Sequence, residues 1–245
     1  MTASTRATSG NGGGEPIRLI VNADDFGYSA GVNRGIVEAH ERGIVTSASL
    51  MVDEAGAEAA AAYARGHDLL GVGLHVDLEG WWWRLPPPLR RGLDRPLLRH
   101  AARELRRQLE RFRALVGADP THLDSHKHRH RADALRPLFL AHAAALGVPL
   151  RQFDSRVRFC GTFYGQVGAA RPNPSAVAPE ALVSLLESLP PGITELGSHP
   201  GYADDLDDSY RAERALEVST LCDPSVRAAV DRLGITLISF REVPA

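Results

Sequence analysis

Short apolar runs rich in β-branched residues alternate with helix-length amphipathic stretches along nearly the whole 245-residue chain. That alternation leaves few folds open. Seven runs read as strands: 17–21, 44–52, 69–76, 120–126, 148–153, 193–197 and 235–240. Between them, 31–42, 55–65, 97–116, 132–146, 180–189, 210–221 and 225–233 carry helical spacing, several closed by Gly43, Gly66 or Gly147. Strands separated by helices run parallel, because only a crossover of that length returns the chain to the same edge. The fold class is therefore α/β, as a closed barrel or an open doubly wound sheet. No glycine-rich phosphate fingerprint follows a strand, which counts against a nucleotide-binding open sheet. The expectation is an irregular (β/α) barrel of about seven parallel strands. It would occupy 16–245 as one domain, behind a disordered Gly/Ser/Thr-rich tail at 1–15.

Composition excludes more than it assigns. A net charge of -2 offers no global attraction to nucleic acid or to an anionic membrane. Lys127 is the single lysine among 28 basic residues, a bias of composition rather than of chemistry. The arginines at 103, 106, 107 and 111 fall on the solvated face of a helix. No run reaches the roughly 20 apolar residues that span a bilayer, so membrane insertion is not expected. Cys160 and Cys222 are too few for a disulfide framework, and a reducing cytoplasmic location is the expectation.

The polar residues of interest stand where strands end. Asp24 and Asp25 follow the first apolar run, and each carboxylate disfavours ionisation of the other. Taken alone the pair has two readings: a turn that caps the helix beginning near Ser29, or a charged site that needs a cation or a shared proton. The histidines decide between them. His75 ends the third strand, His126 the fourth and His199 the sixth. In a parallel α/β fold those ends converge on one face, where active sites are built. His122, Asp124, His126, His128 and His130 occupy alternate positions. If the strand continued through them, all would share one side. The expectation is that the early members line the interior, His126 reaches the rim, and His128 and His130 lie in the following loop. The plainer alternative is a solvated His-rich loop.

One carboxylate and two neutral imidazoles make a divalent-metal site with open positions. Asp25, His75 and His126 fit it. Asp24 is then the nearest candidate for general base, and His199, before the rigid Pro200-Gly201 turn, suits a general acid.

The segments VNADDFGYSAGVNRGIVEAHERGIVTSASLMV, GVGLHVDL, THLDSHKHRH and TELGSHPGY together resemble the YdjC-like family of carbohydrate deacetylases, which includes the chitooligosaccharide deacetylases. The resemblance implies an irregular (β/α) barrel and hydrolysis of the N-acetyl group of an amino sugar or oligosaccharide. It implies a divalent cation, often magnesium, with zinc or another ion as the alternative. By motif, Asp25, His75 and His126 are implied as metal ligands, Asp24 as general base and His199 as general acid. A substrate with an N-acetyl group is the expected partner, and a homodimer is left open.

The stretch WWWRLPPP stands in the span between GLH and THLDSH that varies in such proteins. Trp81, Trp82 and Trp83 either stack on sugar faces or plug the barrel mouth. Because a related branch acts on hopanoid lipids, a lipid-linked amino sugar is one alternative substrate. Hydrolysis of another amide, ester or phosphoester bond is a second. A sugar-binding protein without catalysis is a third, and the presence of both Asp24 and His199 counts against it. Glycosidase chemistry fits poorly, because adjacent aspartates on one strand end do not straddle a scissile bond.

Overall fold

A computed structural model describes residues 15–78, 94–168, 170–202, 204–207 and 209–244. Residues 1–14 of the tail expected at 1–15, and the tryptophan and proline runs at 81–88, lie outside those residues.

The apolar runs form the strands of one parallel sheet, and the amphipathic stretches pack on it. In chain order the elements begin with β1 (Ile17–Phe26), α1 (Ala30–Glu41), β2 (Ser47–Leu50), α2 (Ala57–Arg65), β3 (Gly71–Val76), α3 (Asp94–Val116) and β4 (Leu123–Ser125). There follow α4 (Arg136–Leu146), β5 (Val157–Cys160), β6 (Gln166–Val167), β7 (Arg171–Pro172), α5 (Pro179–Glu187), β8 (Gly192–Ser198), α6 (Arg211–Leu221), α7 (Pro224–Arg232) and β9 (Thr236–Leu237). The sheet has seven strands in the order β4-β3-β2-β1-β8-β5, with β9 also on β1, and every pairing in it is parallel. It curls as a half-barrel, an irregular (β/α) barrel that leaves β4 and β5 unpaired with each other. No helix among the described residues is long and apolar enough to cross a membrane.

Two strand expectations need correction. The first strand does not stop at Asn22 but runs through both aspartates to Phe26. Its register against β2 shifts between Ala23 and Phe26, and Asp25 takes a left-handed φ of 66°. Aspartate tolerates that conformation better than most residues. The segment 148–153 is not a strand. It makes one bridge, Leu123 to Leu150, before Gln152 turns the chain away at φ 66°. The strand of this region is β5, which lies in none of the seven runs read as strands. One exposed face and Arg158 hid its pattern.

Glycines set the distance between α1 and the turn after β8. A Cβ on Gly35 would sit 2.5 Å from Gly201 Cα, and one on Gly31 would sit 1.8 Å from the Tyr202 carbonyl oxygen. The two glycines are one helical turn apart, so that face of α1 is flat and the segment carrying His199 lies directly on it. Gly35→Ala should therefore lower stability by about 1–3 kcal/mol through overpacking against backbone. Urea unfolding would check this, and an unchanged midpoint would show that the turn can shift freely.

Candidate active site

The parallel sheet brings Asp24, Asp25, His75, His126 and His199 to one cavity of about 680 Å³. Adjacent residues of a regular strand point to opposite faces. Asp24 and Asp25 both reach the cavity because the bulge and the left-handed Asp25 break that alternation.

Asp25 sits among basic side chains. Its Oδ1 is 3.2 Å from His126 Nδ1 and 3.5 Å from His75 Nε2, and its Oδ2 accepts from Arg214 at 2.7 Å. Burial alone would raise its pKa, but Arg214 and the two histidines hold the carboxyl well below the usual range. His75 Nδ1 donates to Asp124 Oδ1 at 2.7 Å, which turns Nε2 toward Asp25. Burial would lower the His75 pKa, yet Asp124 and the other carboxylates raise it well above the ordinary value. Asp25, His75 and His126 offer one ligand atom each, all within 4.8 Å of one another. The donor set is one carboxylate and two imidazoles, with one imidazole oriented from behind by a carboxylate. It fits a divalent cation with open positions toward the cavity. Asp24, His75 and Asp124 form a second tight group. That group does not suit a cation, because Arg151 already contacts both carboxylates at 2.7–2.8 Å.

Arg151 is the largest side chain in the fully buried interior. It donates to both oxygens of Asp24 at 2.7 Å, to Glu195 at 2.6 Å, and lies 2.8 Å from Asp124 Oδ2. It thereby joins β1, β8 and β4 from inside the curl. Burial would raise the Asp24 pKa, but Arg151 outweighs it and keeps the carboxyl below its ordinary value. Glu195, buried with only one oxygen bonded, is pushed up to about 7.

His199 faces Asp24, with Nε2 3.8 Å from Oδ2. Burial lowers its pKa, and its Nδ1 has no hydrogen-bond partner among the described residues. The backbone N–H of His199 donates to Glu217 Oε2 at 2.5 Å, and Glu217 Oε1 accepts from Tyr210 Oη at 2.5 Å. Burial pushes the Glu217 carboxyl up to about 8.

The histidine alternation does not run through one strand. β4 stops at Ser125, and Lys127 and His128 then take left-handed φ of 52° and 50°. His126 and His128 line the cavity. His130 is buried, its Nδ1 2.7 Å from Ser125 Oγ. His122 is inside, between Thr121 and Ser49 at 3.0 Å each. Ser49 donates to Asp124 at 2.8 Å, so its oxygen accepts from His122 Nε2–H. Burial holds His122 at about 3 and His128 and His130 at about 4, as neutral rings.

Sequence reasoning placed Asp124 only as an interior member of the histidine alternation, and gave no role to Arg151, Glu195, Arg214 or Glu217. Arg151 and Glu195 were visible as single charges inside apolar runs, VPLRQF and ITELG, where an isolated charge is costly without a partner. Arg214 and Glu217 carried no such mark, since a charged pair three apart on a helix reads as surface.

Comparison with known proteins agrees in extent with this architecture. The family described as YdjC-like protein matches residues 18–232. A carbohydrate deacetylase from Geobacillus stearothermophilus is 36% identical over 93% of this chain and 98% of its own. One from Brevibacillus brevis is 34% identical over 93% of this chain and all of its own. A chitooligosaccharide deacetylase from Serratia marcescens is 32% identical over 92% of this chain and 98% of its own. Among solved structures, an Enterococcus faecalis protein superposes with TM-score 0.76 at 24% identity, covering 94% of this chain and 100% of its own. A family 4 carbohydrate esterase from Streptomyces lividans superposes at 0.55 and 15% identity, over 95% and 98%. At those identities the two structures share the fold.

Two outcomes follow from the buried charges. Arg151→Met leaves the carboxylates of Asp24, Asp124 and Glu195 without their common cation. It should cost about 3–5 kcal/mol, read from chemical unfolding. For Glu217 the folded pKa of about 8 lies above the ordinary 4.5. The folded state therefore holds the proton longer than the unfolded chain, and stability falls as pH rises through that window. Glu217→Gln should flatten the melting temperature between about pH 5 and 8. Parallel curves for the two proteins would contradict the assignment.

Proposed function

Because the chain belongs to the YdjC-like family, we propose that it is a metal-dependent carbohydrate N-deacetylase that acts on N-acetylated amino sugars or their oligosaccharides and releases acetate. The observation that carries this reading is the gathering, in one cavity, of the donor triangle Asp25, His75 and His126 beside the pair Asp24 and His199. The names of the relatives above supply the bond and the substrate class.

Asp25, His75 and His126 would hold the divalent cation, magnesium first and zinc or another ion as the alternative. When bound, such an ion lowers the pKa of water and polarises a carbonyl oxygen. Asp24 takes the proton from the attacking water. Arg151 keeps that carboxylate ionised and fixes both of its oxygens, so its remaining lone pairs point in a set direction. His199 gives a proton to the nitrogen as the C–N bond breaks. The amine leaves protonated and acetate carries away the oxygen of the water. Asp124 holds the His75 ring with Nε2 toward the ligand position. Arg214 bonds Asp25 Oδ2 and leaves Oδ1 toward the histidines.

Acetate release from N,N'-diacetylchitobiose, by protein stripped of metal and resupplied with single divalent ions, tests the reading. Release that depends on the added ion is expected. Asp25→Ala and His126→Ala should lose metal binding and turnover together. Asp24→Asn should keep the ion and slow turnover by about 10²–10⁴-fold. Full activity of Asp24→Asn would remove Asp24 from the role of base. Release of acetate from simple esters but not from the sugar would move the substrate class to another acyl compound.

A further inference from the structure

The cavity wall beside His199 is aromatic, and none of the roles above uses it. Tyr164 and Tyr210 stack with ring centroids 4.5 Å apart and planes 10° from parallel. Both rings meet the imidazole of His199 edge-on, at 5.5 Å and 5.6 Å. Both line the cavity with Asp24, Asp25 and His126. Tyr210 is buried and Tyr164 is 39% exposed, so the open surface of the pair belongs to Tyr164.

The pair is fastened to the histidine it flanks. Tyr210 Oη accepts the N–H of Gly165, the residue after Tyr164, at 2.5 Å and donates to Glu217. Glu217 in turn accepts the backbone N–H of His199. One buried carboxylate therefore links the ring beneath Tyr164 to the backbone of His199. The chain can lie this close to α6 because residue 165 is glycine, whose Cβ would meet the Glu213 side chain at 2.8 Å. Gln166 ties the same loop to Ser209 and Glu213.

We infer that Tyr164, backed by Tyr210, is the stacking platform for the pyranose ring that bears the scissile N-acetyl group. This inference rests on the deacetylase reading. The axial C–H bonds of a pyranose are weakly positive and match the negative face of an aromatic ring. They stack on it at a separation of about 4 Å. A sugar seated on Tyr164 lies beside His199, where the nitrogen that receives the proton has to be. A platform held rigid by a stacked partner loses little freedom when the sugar binds, so it contributes to affinity and to orientation. The substrate class that fits is an N-acetylhexosamine with a flat apolar face. An open-chain N-acetyl amide such as acetyl-lysine has no such face.

The test compares Tyr164→Leu, Tyr164→Ala and Tyr164→Phe with the wild type in two assays. The first is binding of N,N'-diacetylchitobiose by saturation-transfer NMR, which needs no turnover. The second is steady-state acetate release. Leucine and alanine should each weaken binding and raise KM by roughly 5- to 20-fold. Phenylalanine, which keeps the ring and loses the hydroxyl, should restore both to within about 2-fold. Saturation transfer to the sugar ring protons should fall with the aromatic face. Wild-type binding affinity in the leucine variant, with melting temperature unchanged, would overturn the platform. Absence of sugar binding by the wild type would overturn it too. If the wild type binds the sugar through Tyr164 and releases no acetate, the platform stands and the deacetylase reading falls.

Discussion

The half-barrel depends on a single buried guanidinium. Arg151 carries one positive charge into an interior where Asp24, Asp124 and Glu195 each present a carboxylate. Without it three strands would bring like charges together in a low-dielectric space, and each would have to take up a proton to survive there. With it the carboxylates of β1 and β4 remain ionised, and β4 is tied across the concave side to β1 and β8, with which it makes no backbone pairing. The same contact keeps Asp24 ionised and fixes both of its oxygens at the cavity. Structural and chemical demands meet in one side chain.

Around that charge the interior is divided between groups kept ionised and groups kept neutral. Asp25 and Asp124 are surrounded by cations and donors. His122 and His130 lie a few residues away in the chain, buried as neutral hydrogen-bonded rings, while His128 is half-buried at the cavity and packs on Phe159. Five alternate positions of one segment thus acquire different roles. What separates them is the end of β4 at Ser125 and the two left-handed residues that follow, which rotate the later rings out of the strand's plane.

The cavity has two unlike halves. Toward β1, β3 and β4 it is lined by the polar side chains of Asp24, Asp25, His75 and His126. Toward α6 it is walled by Tyr210 and Tyr164, with Phe159 and Phe163 nearby. His199 stands at the boundary, one side to Asp24 and the other to the tyrosines. A polar reacting centre beside an apolar wall is the arrangement that lets a sugar be held by its ring and hydrolysed at its substituent.

The alternation of strands and helices, the parallel sheet, and the convergence of Asp24, Asp25, His75, His126 and His199 on one face were legible in the chain. Each follows from hydrophobic periodicity and from the rule that parallel strands end together. The irregular barrel and its seven strands also stand, although one of the seven is β5 and not the run 148–153. Other features were decided by tertiary structure alone, because they join residues far apart in sequence or depend on single backbone angles. The left-handed Asp25 brings both aspartates to the same cavity, against the alternation a strand predicts. Arg151 meets Asp24, Asp124 and Glu195 across separations of 127, 27 and 44 residues, and no local pattern announces such a cluster. Glu217 reaches the backbone of His199 from a helix whose charges read as surface. Periodicity reports which face of an element is buried. It cannot report which buried charges will find each other, because that is settled only when the sheet curls.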